Sequence, residues 1–70
     1  MTYAQFKKRI QAELQRNSRG KTWKELRRDL ALPYTRPCPE WTKTLEKEIN
    51  LVRKKGQGRE LIWSIGNHYV

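Results

Sequence analysis

The chain contains one cysteine, one histidine, one methionine and one phenylalanine. It also has little negative charge: seven Asp and Glu against sixteen Lys and Arg. A lone Cys38 excludes an internal disulfide and a cysteine-based zinc site. Cys38 and His68 together fall short of the three or four protein ligands that zinc takes, so no metal site is expected. Long hydrophobic runs are missing too. Lys7, Lys8 and Arg9 interrupt any candidate signal segment, and nothing approaches the roughly 20 apolar residues of a membrane span. No segment pairs a continuous apolar helix face with an all-basic one, so a membrane is not the expected partner. An intracellular, cytoplasmic protein is the economical expectation, at the nucleoid or in the nucleus if bound to DNA. There is no Ser-His-Asp set, no paired carboxylates in an apolar setting and no metal cluster. No catalytic residue, cofactor or enzymatic activity is therefore expected.

What the chain does have is a positive excess. Its formal net charge is +9 and its pI is about 10.2. Such an excess attracts polyanions over long range, with nucleic acid as the commonest partner. Seventy residues make one small domain that buries roughly 60% of its unfolded surface, with no room for a deep cleft.

Hydrophobic spacing predicts three helices. Tyr3, Phe6, Ile10 and Leu14 form one stripe of a helix over Thr2 to Arg16. Thr2 and Gln5 have the spacing of a capping box, and Asn17-Ser18-Arg19-Gly20 suits its end. Thr22 and Glu25 repeat the box before a short helix with Trp23, Leu26 and Leu30 on its buried side. Lys21-Thr22 can form a tiny strand ahead of it. Ala31 to Cys38, with Pro33 and Pro37, is a connector. Pro39 suits the first turn of a third helix, in which Trp41, Leu45 and Ile49 recur through about Asn50. Cys38 can cap that helix or fill a small core site.

Leu51 to Ile65 reads as two strands around a basic tip. Leu61, Trp63 and Ile65 alternate with Glu60, Ile62 and Ser64, giving one apolar face. Arg53, Lys54, Lys55 and Arg59 flank Gly56 and Gly58, whose lack of a side chain suits positive φ. Four cations at one tip repel one another unless a partner is present, which points to phosphate contact. Gly56-Gln57-Gly58 joins strand to strand and is not a nucleotide-binding fingerprint.

This order, with Thr22-Trp23-Lys24-Glu25-Leu26 opening the second helix, Trp41 to Ile49 as the third and Leu51 to Ile65 as a wing, resembles the winged-helix domains of the helix-turn-helix class. The resemblance implies an α+β fold: a small winged helix over residues 1–66, three helices followed by a C-terminal β-hairpin, with residues 67–70 as a tail. It also implies that the third helix approaches the major groove and the wing an adjacent groove or backbone. Two features depart from the family. The connector is long and proline-rich, and the third helix holds Glu40, Glu46 and Glu48 against only Lys43 and Lys47. The wing is thus expected to be the main phosphate contact, with limited sequence discrimination.

The expected nucleic-acid-binding residues are Arg53, Lys54, Lys55 and Arg59 of the wing, with Lys24 and Arg28 of the second helix. Arg36 of the connector and Lys43, Lys47 and Asn50 of the third helix complete the set. Lys43 and Lys47 are one turn apart, and Asn50 has the amide that reads an adenine edge. Lys21 and Arg27 extend the patch on the second helix. The alternatives are an ordinary solvated face for these charges, a protein-interaction module that meets the third helix or Tyr34 to Pro37, and structured RNA. Trp23, Trp41 and Trp63 lie on apolar stripes and are expected in the core rather than as stacking platforms.

Overall fold

Each helix begins where the local chemistry supplies a start signal. In the computed structural model, which describes residues 1–56, 58 and 60–66, α1 spans Tyr3–Arg16 and α2 spans Trp23–Asp29. Thr2 and Thr22 cap them, and both capping boxes close: Gln5 and Glu25 return side-chain oxygens to the cap amides at 2.9 Å. The third helix, α3, spans Pro39–Glu48, with proline in its first turn, where no amide proton is needed. Cys38 occupies the cap position of α3 but makes no side-chain cap bond there. Cys38 lines an apolar recess with Phe6, Tyr34 and Trp41.

The helix ends are equally local. Asn17 caps α1 at its C-terminus, and Gly20 then turns the chain with φ +86°. A Cβ at Gly20 would lie 2.5 Å from the Trp63 carbonyl oxygen, so this position also permits close strand approach. The helix α2 stops in a left-handed turn at Ala31, φ +52°. The Leu32 amide bonds back to the Arg27 carbonyl at 2.9 Å, and the Leu32 side chain is buried. Asn50, φ +56°, makes the equivalent turn after α3, and its carbonyl accepts from the Gly66 amide at 2.7 Å. Of the described glycines Gly20 alone has positive φ. The expectation of positive φ at Gly56 is therefore corrected: a Cβ there would press on the Ile62 side chain, 2.7 Å from Cδ1.

Three strands, β1 (Lys21–Thr22), β2 (Leu51–Lys55) and β3 (Leu61–Ile65), form one antiparallel sheet in the order β1-β3-β2. The small strand β1 pairs with the centre of β3, Lys21 opposite Trp63. The hairpin register sets Leu51 against Ile65, Arg53 against Trp63 and Lys55 against Leu61. The fold is thus a small α+β domain, three helices on a three-stranded sheet.

One core joins all layers. Phe6, Ile10 and Leu14 from α1 meet Leu26, Leu45, Ile49, Leu51 and Trp63. Burying each such side chain contributes about 1.5–3 kcal/mol. Trp63 is 1% exposed and all but closes the centre. Trp23 and Trp41, from their apolar stripes, and Tyr34 of the connector pack at its margin, partly buried. The expected apolar face of β3 is buried only in its middle: Leu61, beside the tip, remains 38% exposed.

Candidate nucleic-acid interface

The cations divide into those held by acids and those left free. Glu13 is buried although charged. It stands three residues after Ile10 and next to Leu14, which puts it on the apolar side of α1. Lys21 donates to its carboxylate at 2.6 Å, Arg16 closes on it from the next turn, and Asn17 adds a contact at 3.4 Å. Lys21 also bonds Asp29, which Arg28 meets at 3.0 Å. One chain of charges thereby fastens α1, β1 and α2 together. The hydrogen bonds from Lys21 and then Arg16 hold the Glu13 carboxyl below its ordinary range. Lys21 and then Arg28 do the same to Asp29.

A second cluster ties α1 to α3. The Tyr3 hydroxyl donates to Glu48 at 2.8 Å, and Lys7 pairs with the same carboxylate at 3.0 Å. Desolvation first, and the Glu48 bond second, push the Tyr3 pKa up to about 12. Lys7, then Tyr3, lower that of Glu48.

Arg53 belongs with these held cations rather than at the hairpin tip. Because it faces Trp63 across the ladder, its stem runs on the inner side of the sheet. Its guanidinium carbon lies 5.7 Å from the Trp63 ring centroid, and one terminal nitrogen meets Glu46 at 3.3 Å. Its Nε is buried with no acceptor among the described residues.

Lys54 and Lys55 differ. Both are exposed on β2, and neither forms an ion pair among the described residues. The same holds for Lys24 on α2, Arg36 in the connector, and Lys43 and Lys47 on α3. Arg28 is exposed but engaged by Asp29. Asn50 is exposed, and its identity is explained by the left-handed turn it makes, a conformation asparagine tolerates. Arg59 and the tail 67–70 lie outside the described residues.

The acids of α3 are not evenly spread. Glu46 is drawn toward β2 by Arg53, and Glu48 toward α1 by Lys7 and Tyr3. Both flank the helix, while Lys43 and Lys47 remain between them on the solvent side with Glu40. The overall negative balance of α3 therefore overstates the repulsion that a phosphate would meet there.

Lys24, Arg27 and Arg53 are brought together around a groove of about 300 Å³ between α2, the connector and the hairpin. Lys43, Lys47, Arg36 and Asn50 do not line it. Sequence reasoning gave Leu61, now part of this groove, to the buried face, and Glu13 no role at all. The helical position of Glu13 was the available signal.

Among the described residues no helix is long and apolar enough to cross a membrane. No group of three or more acids, histidines and cysteines could hold a metal ion among them. Comparison with protein families, curated proteins and solved structures found no match to this chain.

Proposed function

We propose that this chain is a winged-helix nucleic-acid-binding domain for duplex DNA, holding phosphates chiefly through the exposed lysines at the far end of β2. The observation that carries this reading is the pairing pattern. Lys54 and Lys55 are adjacent, exposed and without acidic partners among the described residues, while Arg53 beside them is taken up by Glu46, and Lys7, Lys21 and Arg28 elsewhere by other carboxylates. Mutual repulsion between free cations is a cost that a polyanion removes. The element order α1-β1-α2-α3-β2-β3, with the hairpin directly after α3, is the one the family resemblance implies. Lys24 on α2 and Lys43 and Lys47 on α3 supply further phosphate contacts. Arg36 and Arg28 contribute at the margin, Arg28 more weakly because Asp29 competes for it.

In this reading affinity comes mainly from phosphate contacts, which carry no sequence information, and sequence preference is small. With about five phosphates engaged, log K falls with log salt at a slope near −4.5. Titrating labelled duplex DNA at several salt concentrations measures that slope. A slope near zero, or no binding at low salt, would remove the DNA reading. It would then favour a protein partner that meets α3 or the connector.

A further inference from the structure

The groove between α2 and the hairpin combines two properties that phosphate contact alone does not require. Its rim is cationic: Lys24, Arg27 and Arg53 line it against a single acid, Glu60. Its wall is apolar. Trp23 is half-buried there and Leu61 is 38% exposed, one of two large hydrophobic residues left open among the described residues. The wall is also fixed. The Trp23 indole donates to the Thr35 carbonyl at 3.0 Å, and its ring rests on Trp63 with centroids 5.3 Å apart. Leaving an exposed leucine and a half-buried indole beside lysine and arginine favours a ligand that is anionic at one end and flat and apolar at the other.

A base inside a duplex is stacked and paired and does not present its face. A base at an unpaired strand end does. We infer that this groove receives one unpaired nucleotide at a strand end, the base against Trp23 and Leu61 and its phosphate against Lys24 and Arg27. This rests on the nucleic-acid reading above and names the form of nucleic acid that the domain prefers. The groove adjoins Lys24, already a phosphate contact in that reading, so one strand follows α2 into it without leaving the basic surface. Its volume, about 300 Å³, is at the small end for ligand sites, which fits a single base rather than a stacked run. The Arg53 Nε, lacking an acceptor among the described residues, gains one if the side chain shifts toward a ligand oxygen.

Three duplexes of equal length, labelled identically, test it by fluorescence anisotropy: one blunt, one with a short unpaired end, and one whose unpaired end is abasic. The base-bearing end should bind about tenfold more tightly than the other two. Leu61→Ser should bring all three to the same affinity while blunt-duplex binding and the thermal melt stay as in the parent. Arg27→Gln should weaken the base-bearing end more than the blunt duplex. Equal affinity of the parent for all three duplexes would overturn the groove assignment and leave duplex binding standing. An abasic end that tightens binding as much as the base-bearing one would assign the gain to phosphates and overturn it equally. Capture of an acidic, leucine-containing peptide with no strand-end preference would give the groove to a protein partner. Binding to none of the duplexes would remove the nucleic-acid reading itself.

Discussion

At the junction of α1, β1 and α2, Glu13 is buried and Arg16 and Lys21 close around it, with Asp29 and Arg28 extending the chain of charges. On β2, Lys54 and Lys55 project into solvent with no acid to meet them among the described residues. Both regions are rich in Lys and Arg. In the first the charges are consumed within the fold, and in the second they remain available. The difference teaches that the +9 excess is not spread evenly in its effect: the acids are concentrated where elements join, which leaves the positive potential on the hairpin and on the outer sides of α1, α2 and α3. Arg53 and Lys54 show the contrast within two residues. One turns inward onto Trp63 and Glu46, and the other turns outward.

The comparison predicts that changes to the held charges and their supports alter stability and that changes to the free cations alter binding. The largest effect belongs to Trp63→Ala, which removes the ring that supports both Trp23 and Arg53. A loss of about 3–5 kcal/mol is expected, much of what a domain of this size possesses. A thermal melt followed by circular dichroism should show a domain largely unfolded at room temperature. Arg53→Ala should follow at about 1 kcal/mol, from lost packing and cation–π contact. Its salt slope on blunt duplex DNA should stay near that of the parent. A flattened slope with an unchanged melt would move Arg53 back among the binding cations and break the contrast.

Acid titration probes the held charges directly. The carboxyls of Glu13, Asp29 and Glu48 have lowered folded-state pKa values. Their contribution is therefore present above the ordinary carboxylate pKa of about 4 and is lost as pH falls through the lowered values. Tyr3 behaves oppositely. Its pKa is raised to about 12, so its contribution is complete below about pH 10 and disappears as pH rises through 12. The melting temperature should fall at both extremes, and Lys21→Met should flatten the acid limb while leaving the alkaline limb in place. The smallest effect is a gain. Ala31 holds a left-handed conformation that disfavours a β-carbon, so Ala31→Gly should add roughly 0.5–1 kcal/mol in denaturant unfolding with no change in binding.

The parts of the fold governed by near neighbours were legible in the residues. Thr2 with Gln5, Thr22 with Glu25, and Pro39 announce three helix starts because the partners lie within one turn. The alternation of Leu51 to Ile65 gave the hairpin, and Lys21-Thr22 the extra strand. What the order of residues could not fix was which cations are spent. Tyr3 and Glu48 are 45 positions apart, and their bond exists only once α1 packs beside α3. Arg53 looked like a tip residue until the register set it opposite Trp63. Glu13 lay on an apolar stripe, but its partner Lys21, and the Asp29 that shares this lysine, come from elements that meet only in three dimensions. Where the acids of α3 point was hidden in the same way, since Glu48 is bound by Lys7 of α1 and Glu46 by Arg53 of β2.

The central claim is that Lys54 and Lys55 are free for phosphate. The direct measurement is the salt dependence of duplex-DNA affinity for the parent and for a variant with both Lys54→Ala and Lys55→Ala, alongside their thermal melts. Two lost phosphate contacts should make the slope shallower by about 2 and weaken binding at physiological salt by tenfold or more, roughly alike across sequences, with the melt unchanged. An unaltered slope and affinity in a folded double variant would contradict the account.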